Sequence, residues 1–177
     1  MIDPASYTPG PATARVETQG EKWTLVVEKQ LRQSPEKVWQ ALIDPAQLRE
    51  WAPFEADASL GTVGAKAQLT TVGAPSPHVT ETTVTRADAP HALEYNWGGF
   101  DMRWRLEPSK GGTRLTLWTN IDRRFMAWGA AGWHICFDVL DRLLDGQPIG
   151  RITGPETMKF QAWQRLTGEY GKQFAQD

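Results

Sequence analysis

Hydrophobic and polar positions along this chain alternate in twos between Glu21 and Arg32. Trp23, Leu25, Val27 and Leu31 share one face, and Lys22, Thr24, Glu28, Gln30 and Arg32 fall mainly on the other, with Val26 the exception. That is the period of a half-buried strand. Ser34-Pro35-Glu36-Lys37 then starts a helix: Ser34 can cap, Pro35 fits the first turn, and Lys37 stands where a full capping box would want Glu or Gln. Val38, Trp39, Leu42 and Ile43 follow at helical spacing. Asp44-Pro45 ends this helix and opens a second over 45–51, anchored by Leu48 and Trp51 and stopped by Pro53. Two helices this short predict a bracket against the end of a sheet.

From Phe54 to Thr119 the pattern is strands and turns. Strands are expected over 65–72, 78–86, 91–97, 100–107 and 113–119, separated by Gly73–Pro77, Ala87–Pro90, Gly98-Gly99 and Ser109–Gly112. In the cleanest of them Phe100, Met102, Trp104 and Leu106 oppose Asp101, Arg103, Arg105 and Glu107. In the last, Leu115 and Leu117 oppose Arg114, Thr116 and Trp118. Six or seven strands, mostly antiparallel, follow from these breaks, because short turns join antiparallel neighbours.

Residues 120–129 read as a loop or short turn. The stretch 130–144 is the organising helix: Trp133, Phe137, Leu140 and Leu144 recur at amphipathic spacing, and Ile135, Cys136, Val139 and Leu143 widen the arc. His134, Asp138, Asp141, Arg142 and Asp145 occupy much of the rest, and Gly146-Gln147-Pro148 closes it. A second helical stretch follows within 153–177, with Phe160, Trp163 and Leu166 on one side. The expected organisation is an extended, mobile leader over 1–20 with little regular structure, a domain over 21–150, and a helical extension over 151–177 packing on that domain. Helices at both ends of a largely antiparallel sheet make the class α+β.

Composition narrows the function. A chain of 177 residues, 40% apolar with nine Trp and six Phe, is one domain with a substantial core. It has no apolar run of about 20 residues and no basic-then-apolar start, so a cytoplasmic protein without membrane insertion is expected. A net charge of −2 gives no electrostatic case for nucleic acid. Cys136 is the only cysteine, which excludes an intrachain disulfide and a thiolate cluster; within the apolar arc it reads as a packed thiol. His78, His91 and His134 have no metal-binding spacing, and neither a phosphate loop nor a G-x-S-x-G elbow occurs. No metal or other cofactor is expected.

Tryptophan is the informative residue. Trp97, Trp104, Trp118, Trp128 and Trp133 crowd the second half of the sheet and the start of the long helix, and large rings between sheet and helix suit an apolar ligand cavity. Polar candidates are Arg103 and Arg105, whose guanidinium groups suit a ligand carboxylate, together with His78 and His134. Asp138, one turn beyond His134, is placed to pair with it. Alternation alone does not say which sheet face looks at the helix.

The ordered pieces S-P-E-K-V-W-Q-A-L-I-D-P at 34–45, Trp51, W-R-L-E-P at 104–108, G-G-T-R-L-T-L at 111–117 and A-A-G-W-H-I-C-F-D-V-L-D-R-L-L at 130–144 together resemble the START-like, or polyketide-cyclase-like (SRPBCC), helix-grip superfamily. The likeness runs over residues 22–150 and is closest to the branch named for activators of the heat-shock protein ATPase. It implies a curved sheet gripping a long C-terminal helix, with a hydrophobic tunnel between them. Members include binding proteins, cyclases and hydrolases, with no shared catalytic motif. Matched positions would make Trp133, Phe137 and Leu140 helix-side pocket residues and Trp104, Leu115 and Leu117 sheet-side ones. The second domain that accompanies this module in eukaryotic chaperone activators has no counterpart here, so a direct chaperone partner is not expected. The expected function is binding of an apolar or aromatic small molecule. Its rivals are a cyclase- or hydrolase-like enzyme using Arg103, Arg105, His134 or His78, and an interaction module, chaperone-associated or homodimeric through an outer sheet face.

Overall fold

The structure, a computed structural model, describes residues 2–76 and 78–176. Pro77, within the break expected at 73–77, and the two terminal residues lie outside the described residues. The described residues form nine strands and four α-helices: β1 Thr13–Gln19, β2 Lys22–Leu31, α1 Pro35–Ile43, α2 Pro45–Trp51, β3 Phe54–Ala56, β4 Lys66–Thr71, β5 His78–Thr83, β6 Arg86–Asp88, β7 Ala92–Trp97, β8 Phe100–Ser109, β9 Gly112–Asn120, α3 Met126–Leu144 and α4 Gln161–Phe174. Short 3-10 turns cover Arg123–Phe125 and Gly154–Lys159.

Every strand pairing is antiparallel. Six strands run in the order β1-β2-β9-β8-β7-β6, and β3-β4-β5 form a second sheet. The second continues the curve of the first: Asn96 N donates to Thr82 Oγ1 at 3.2 Å, and the Trp97 indole N–H donates to Thr71 Oγ1 at 3.2 Å. The result is an α+β helix-grip fold, a curved sheet wrapped around α3 with two short helices after β2. The expected strand over 78–86 is two strands, because the chain leaves one sheet at Thr83 and joins the other at Arg86. That split, β1 and β3 raise the count above six or seven.

The bracket is built as its sequence requires. Ser34 Oγ accepts from Lys37 N at 3.3 Å, and Asp44 closes α1 through its own N–H while its carboxylate accepts from Ala46 N to open α2. The Trp51 indole donates to Ala41 O at 3.0 Å, tying α2 to α1. Trp51, wholly buried, stands edge-on to Trp104 at 6.0 Å; Trp104 in turn meets Trp133 at 5.8 Å and Phe137 at 5.9 Å. These rings, with Leu115, Leu117 and Leu140, fill the space between sheet and helix.

Three expectations are corrected. The leader is not devoid of regular structure: Thr13–Gln19 pairs residue by residue with Lys22–Glu28, with Ala14 buried. Its small inward side chains, Ala14 and Val16, gave a weak apolar signal. The loop over 120–129 gives way to helix at Met126, four residues before the expected start. Finally, Asp138 does not pair with His134: chain from both ends covers this side of α3, burying both residues and leaving Asp141 and Arg142 half-buried.

That cover is a network. Asp138, 3% exposed, accepts from the Tyr7 hydroxyl, from Gly10 N at 2.8 Å and from Arg142 Nε at 2.9 Å. His134, 6% exposed, donates from Nε2 to Gly10 O at 2.8 Å and meets the Tyr170 hydroxyl through Nδ1 at 2.7 Å. The anticipated His134–Asp138 pair does not form, since each side chain is engaged by Gly10 and its neighbours instead. Lys29 points inward from β2, donating to Pro11 O at 2.7 Å with Asp141 Oδ2 at 3.7 Å. Burial holds the His134 ring below its usual pKa and pushes the Tyr170 hydroxyl up to about 12.

Candidate functional site

The aromatic packing stops at Trp133 and Trp97, whose rings meet edge-on at 6.3 Å. Beyond them lies a cavity of about 240 Å³. One wall is α3, which presents Gly129, Gly132, Trp133 and Cys136; the second is the sheet end, with Trp97, Phe100, Thr119, Asn120 and Ile121; Pro53 and the segment Ile152–Thr157 close the third side. Phe100, 39% exposed, stands at its mouth.

Glycine shapes two walls. A Cβ at Gly129 would meet Ile121 Cδ1 at 2.5 Å, so any larger residue there would force the Ile121 side chain to move, whereas a Cβ at Gly132 would meet nothing within 4 Å. Gly132 therefore leaves open space on the cavity side of α3, despite a cost of about 1 kcal/mol for glycine in a helix. Gly154 (φ +65°) and Gly73 (φ +81°) seat the third wall on the β4–β5 connection: a Cβ on Gly154 would come within 3.1 Å of Gly73 Cα and Val72 O. Arg151 reinforces that wall by donating to Glu55 at 2.8 Å, which holds the Glu55 carboxyl below the usual range.

No acidic, basic or imidazole side chain lines the cavity among the described residues. Cys136 is its one titratable group, and burial pushes that thiol up to about 12, far from the thiolate a nucleophile needs. Among the described residues no cluster of three His, Cys, Asp or Glu is placed to hold a metal ion.

The structure separates the sequence candidates. Trp97 and Trp133 line the cavity. Trp104, Leu115, Leu117, Phe137 and Leu140 face the same interior but are spent on filled core. Trp118 lies on the opposite face of the sheet, where Arg103 and Arg105 stack over its ring at 5.6 and 5.8 Å; both arginines therefore point away from the helix. Val26, the misfit of the first strand, is paired beside Trp118 on that outer face. Trp128 is 53% exposed and packs on Phe125 at 5.8 Å and Trp163 at 6.0 Å. His134 is on the far side of α3, and His78 begins β5, outside the cavity lining. Missed from sequence were Cys136 and both glycines of α3, read as packing or not at all, and the whole Ile152–Thr157 wall, which carried only a faint helical signal.

The curved sheet closed on α3, with a cavity between them, defines a helix-grip protein. Residues 32–145, more than half of the chain, match the family described as Activator of Hsp90 ATPase homolog 1-like protein, and the chain belongs to that family. Among solved structures, a Mesorhizobium loti protein is 26% identical with a TM-score of 0.60, covering 71% of this chain and 99% of its own. CalU16 from Micromonospora echinospora is 18% identical with a TM-score of 0.63, covering 94% and 97%. The AHSA1-like protein from Aeromonas hydrophila is 20% identical with a TM-score of 0.57, covering 70% and 92%. A comparison with curated proteins returns no significant match. Among the described residues no helix is long and apolar enough to cross a membrane.

Proposed function

We propose that this protein binds an apolar, aromatic small molecule in the cavity between α3, the sheet end and the Ile152–Thr157 wall. The observation that carries this reading is a cavity of about 240 Å³ walled by Trp97, Phe100, Ile121, Trp133 and Ile152, held open by a helical glycine. A dry apolar cavity of about 150 Å³ accepts benzene, so this one suits one ring or two fused rings. Binding rather than catalysis fits the lining, since general acid–base chemistry needs a titratable group within hydrogen-bond reach of the substrate.

Naphthalene is a direct probe. Its titration is expected to move the indole N–H resonances of Trp97 and Trp133 in a nitrogen–proton correlation spectrum and leave Trp118 in place. Gly132→Leu, which projects a side chain into the space, is expected to abolish the shifts while the protein stays folded. Unmoved Trp97 and Trp133 resonances at saturating naphthalene would refute the reading.

A homodimer has one observation in its favour, the exposed Phe125 and Trp128 rings resting on half-buried Trp163, which a second copy would cover. Light scattering tests it: twice the chain mass, returning to one chain mass in Trp128→Glu, is the expected result, and a single chain mass for wild type rejects it.

A further inference from the structure

The polar groups of the cavity divide into those already engaged and those left free. Asn120 accepts from Asp101 N and donates to Gly99 O, and the Thr119 hydroxyl lies 3.6 Å from Met102 Sδ. The Trp97 indole N–H is taken by Thr71. Thr153, Thr157 and Trp133 differ. They are 8%, 6% and 8% exposed, yet Thr153 makes no side-chain cap bond to the turn it opens, and neither hydroxyl nor the Trp133 indole N–H has a hydrogen-bond partner among the described residues. None of the three belongs to the set of sealed, unsatisfied atoms, so each keeps surface that a water-sized probe reaches, and all three residues line the cavity.

Buried polar groups that meet no protein partner cost free energy unless something else satisfies them. Two hydroxyls that donate or accept and one indole that only donates are matched by a ligand carrying an acceptor oxygen. The same walls exclude charge, because no cation or anion among the described residues would compensate the lost hydration of a carboxylate or an ammonium.

We infer that the cavity is selective for a neutral one- or two-ring aromatic bearing a phenolic hydroxyl or ring carbonyl, held through that oxygen by Trp133 Nε1–H and the Thr153 and Thr157 hydroxyls. This rests on the ligand-binding reading above and adds the polar subsite. Both threonines lie beyond the residues 32–145 that match the family, while Trp133 lies within them, so the subsite joins the family region to the closing segment.

The test compares naphthalene, 2-naphthol and 2-naphthoate on the full chain, reading affinity by calorimetry and the Trp133 indole N–H by nitrogen–proton correlation. Wild type is expected to bind 2-naphthol about tenfold more tightly than naphthalene, the worth of one or two neutral hydrogen bonds, with naphthoate weakest. The Trp133 indole proton should move further downfield with naphthol than with naphthalene. Thr153→Val/Thr157→Val is expected to lower the naphthol-to-naphthalene ratio severalfold, with the Trp133 donor retained, while naphthalene affinity holds. Thr153→Ser/Thr157→Ser, which keeps the hydroxyls, should restore the ratio. Equal affinity for naphthol and naphthalene in wild type, or tighter binding of naphthoate, overturns the subsite and leaves the cavity reading standing. Failure of all three probes to bind overturns both.

Discussion

Tyr7→Phe removes one oxygen and nothing else. The ring of Tyr7, 5% exposed, keeps its edge-on contact with Phe160 at 5.6 Å and its place under the Arg142 guanidinium at 5.4 Å. What disappears is the hydroxyl's hydrogen bond to Asp138, whose side chain is 4% exposed. A hydrogen bond to a charged group is worth about 1.5–3 kcal/mol. Asp138 retains Gly10 N and Arg142 Nε as donors, which places the expected loss near the middle, about 2 kcal/mol. For a domain of this size that lowers the melting temperature by roughly 4–8 °C. Urea unfolding followed by tryptophan fluorescence should show a lower midpoint with an unchanged slope, since no surface is newly exposed. Pairing the change with Asp138→Asn in a double-mutant cycle should return a coupling of about 1–2 kcal/mol. A loss under about 0.5 kcal/mol would refute the reasoning. It would mean that the segment around Tyr7 separates from α3 before global unfolding, and that the network adds nothing to the cooperative unit.

Gly132→Ala should raise stability by about 0.5–1 kcal/mol, measured by thermal melting, because the helix gains propensity and the added Cβ meets nothing within 4 Å. Gly154→Ala should lower stability by about 1–3 kcal/mol in the same assay and weaken naphthalene binding, since it strains a left-handed residue and pushes on Gly73. Acid should act through His134, which faces Lys29 of β2, Asp138 of its own helix, and Tyr170 and Arg165 of α4. Its folded pKa lies below the unfolded 6.5, so the unfolded chain binds the extra proton first, and stability falls as pH drops from above 6.5 through the lower folded value. Melting curves between pH 8 and pH 5 should show that fall in wild type and a flatter profile in His134→Gln; parallel profiles would remove His134 as the cause.

The organising helix and the Phe100–Leu106 strand were legible because their periods are clean and their large side chains commit to one face. Capping was legible for a local reason: Ser34 and Asp44 act within three residues of themselves. What escaped the sequence depends on chain that is distant in order. Lys29 falls by alternation on the apolar face, and its charge is tolerated there because Pro11 and Asp141 supply oxygens. His134 and Asp138 read as a pair with each other because the residues that engage them instead, Tyr7, Gly10 and Tyr170, lie more than 30 positions away or at the other end of the chain. Arg103 and Arg105 alternate correctly, but the side of the sheet that meets α3 is set by tertiary packing. The cavity is hardest to read. Half of its character comes from absent side chains at Gly129 and Gly132, and its polar groups are threonines in a segment with little periodicity of its own.

The convergence of both chain ends on one helix also sets the order of events during synthesis. Tyr7 and Asp138 stand 131 residues apart, and Gln173 reaches back 159 residues to the carbonyl of Ala14. A ribosome delivers Tyr7 and β2 about a hundred residues before the helix they dock on, so β2 must wait with Lys29 uncovered until α3 emerges. Such long loops close slowly, and their entropy is lost before any contact offsets it. Closure of the two ends is then the concluding step, and its reversal is the first route of opening. A protease that cuts after tyrosine would meet Tyr7 on nascent chains and find it shielded once its ring has docked on Asp138 and Phe160.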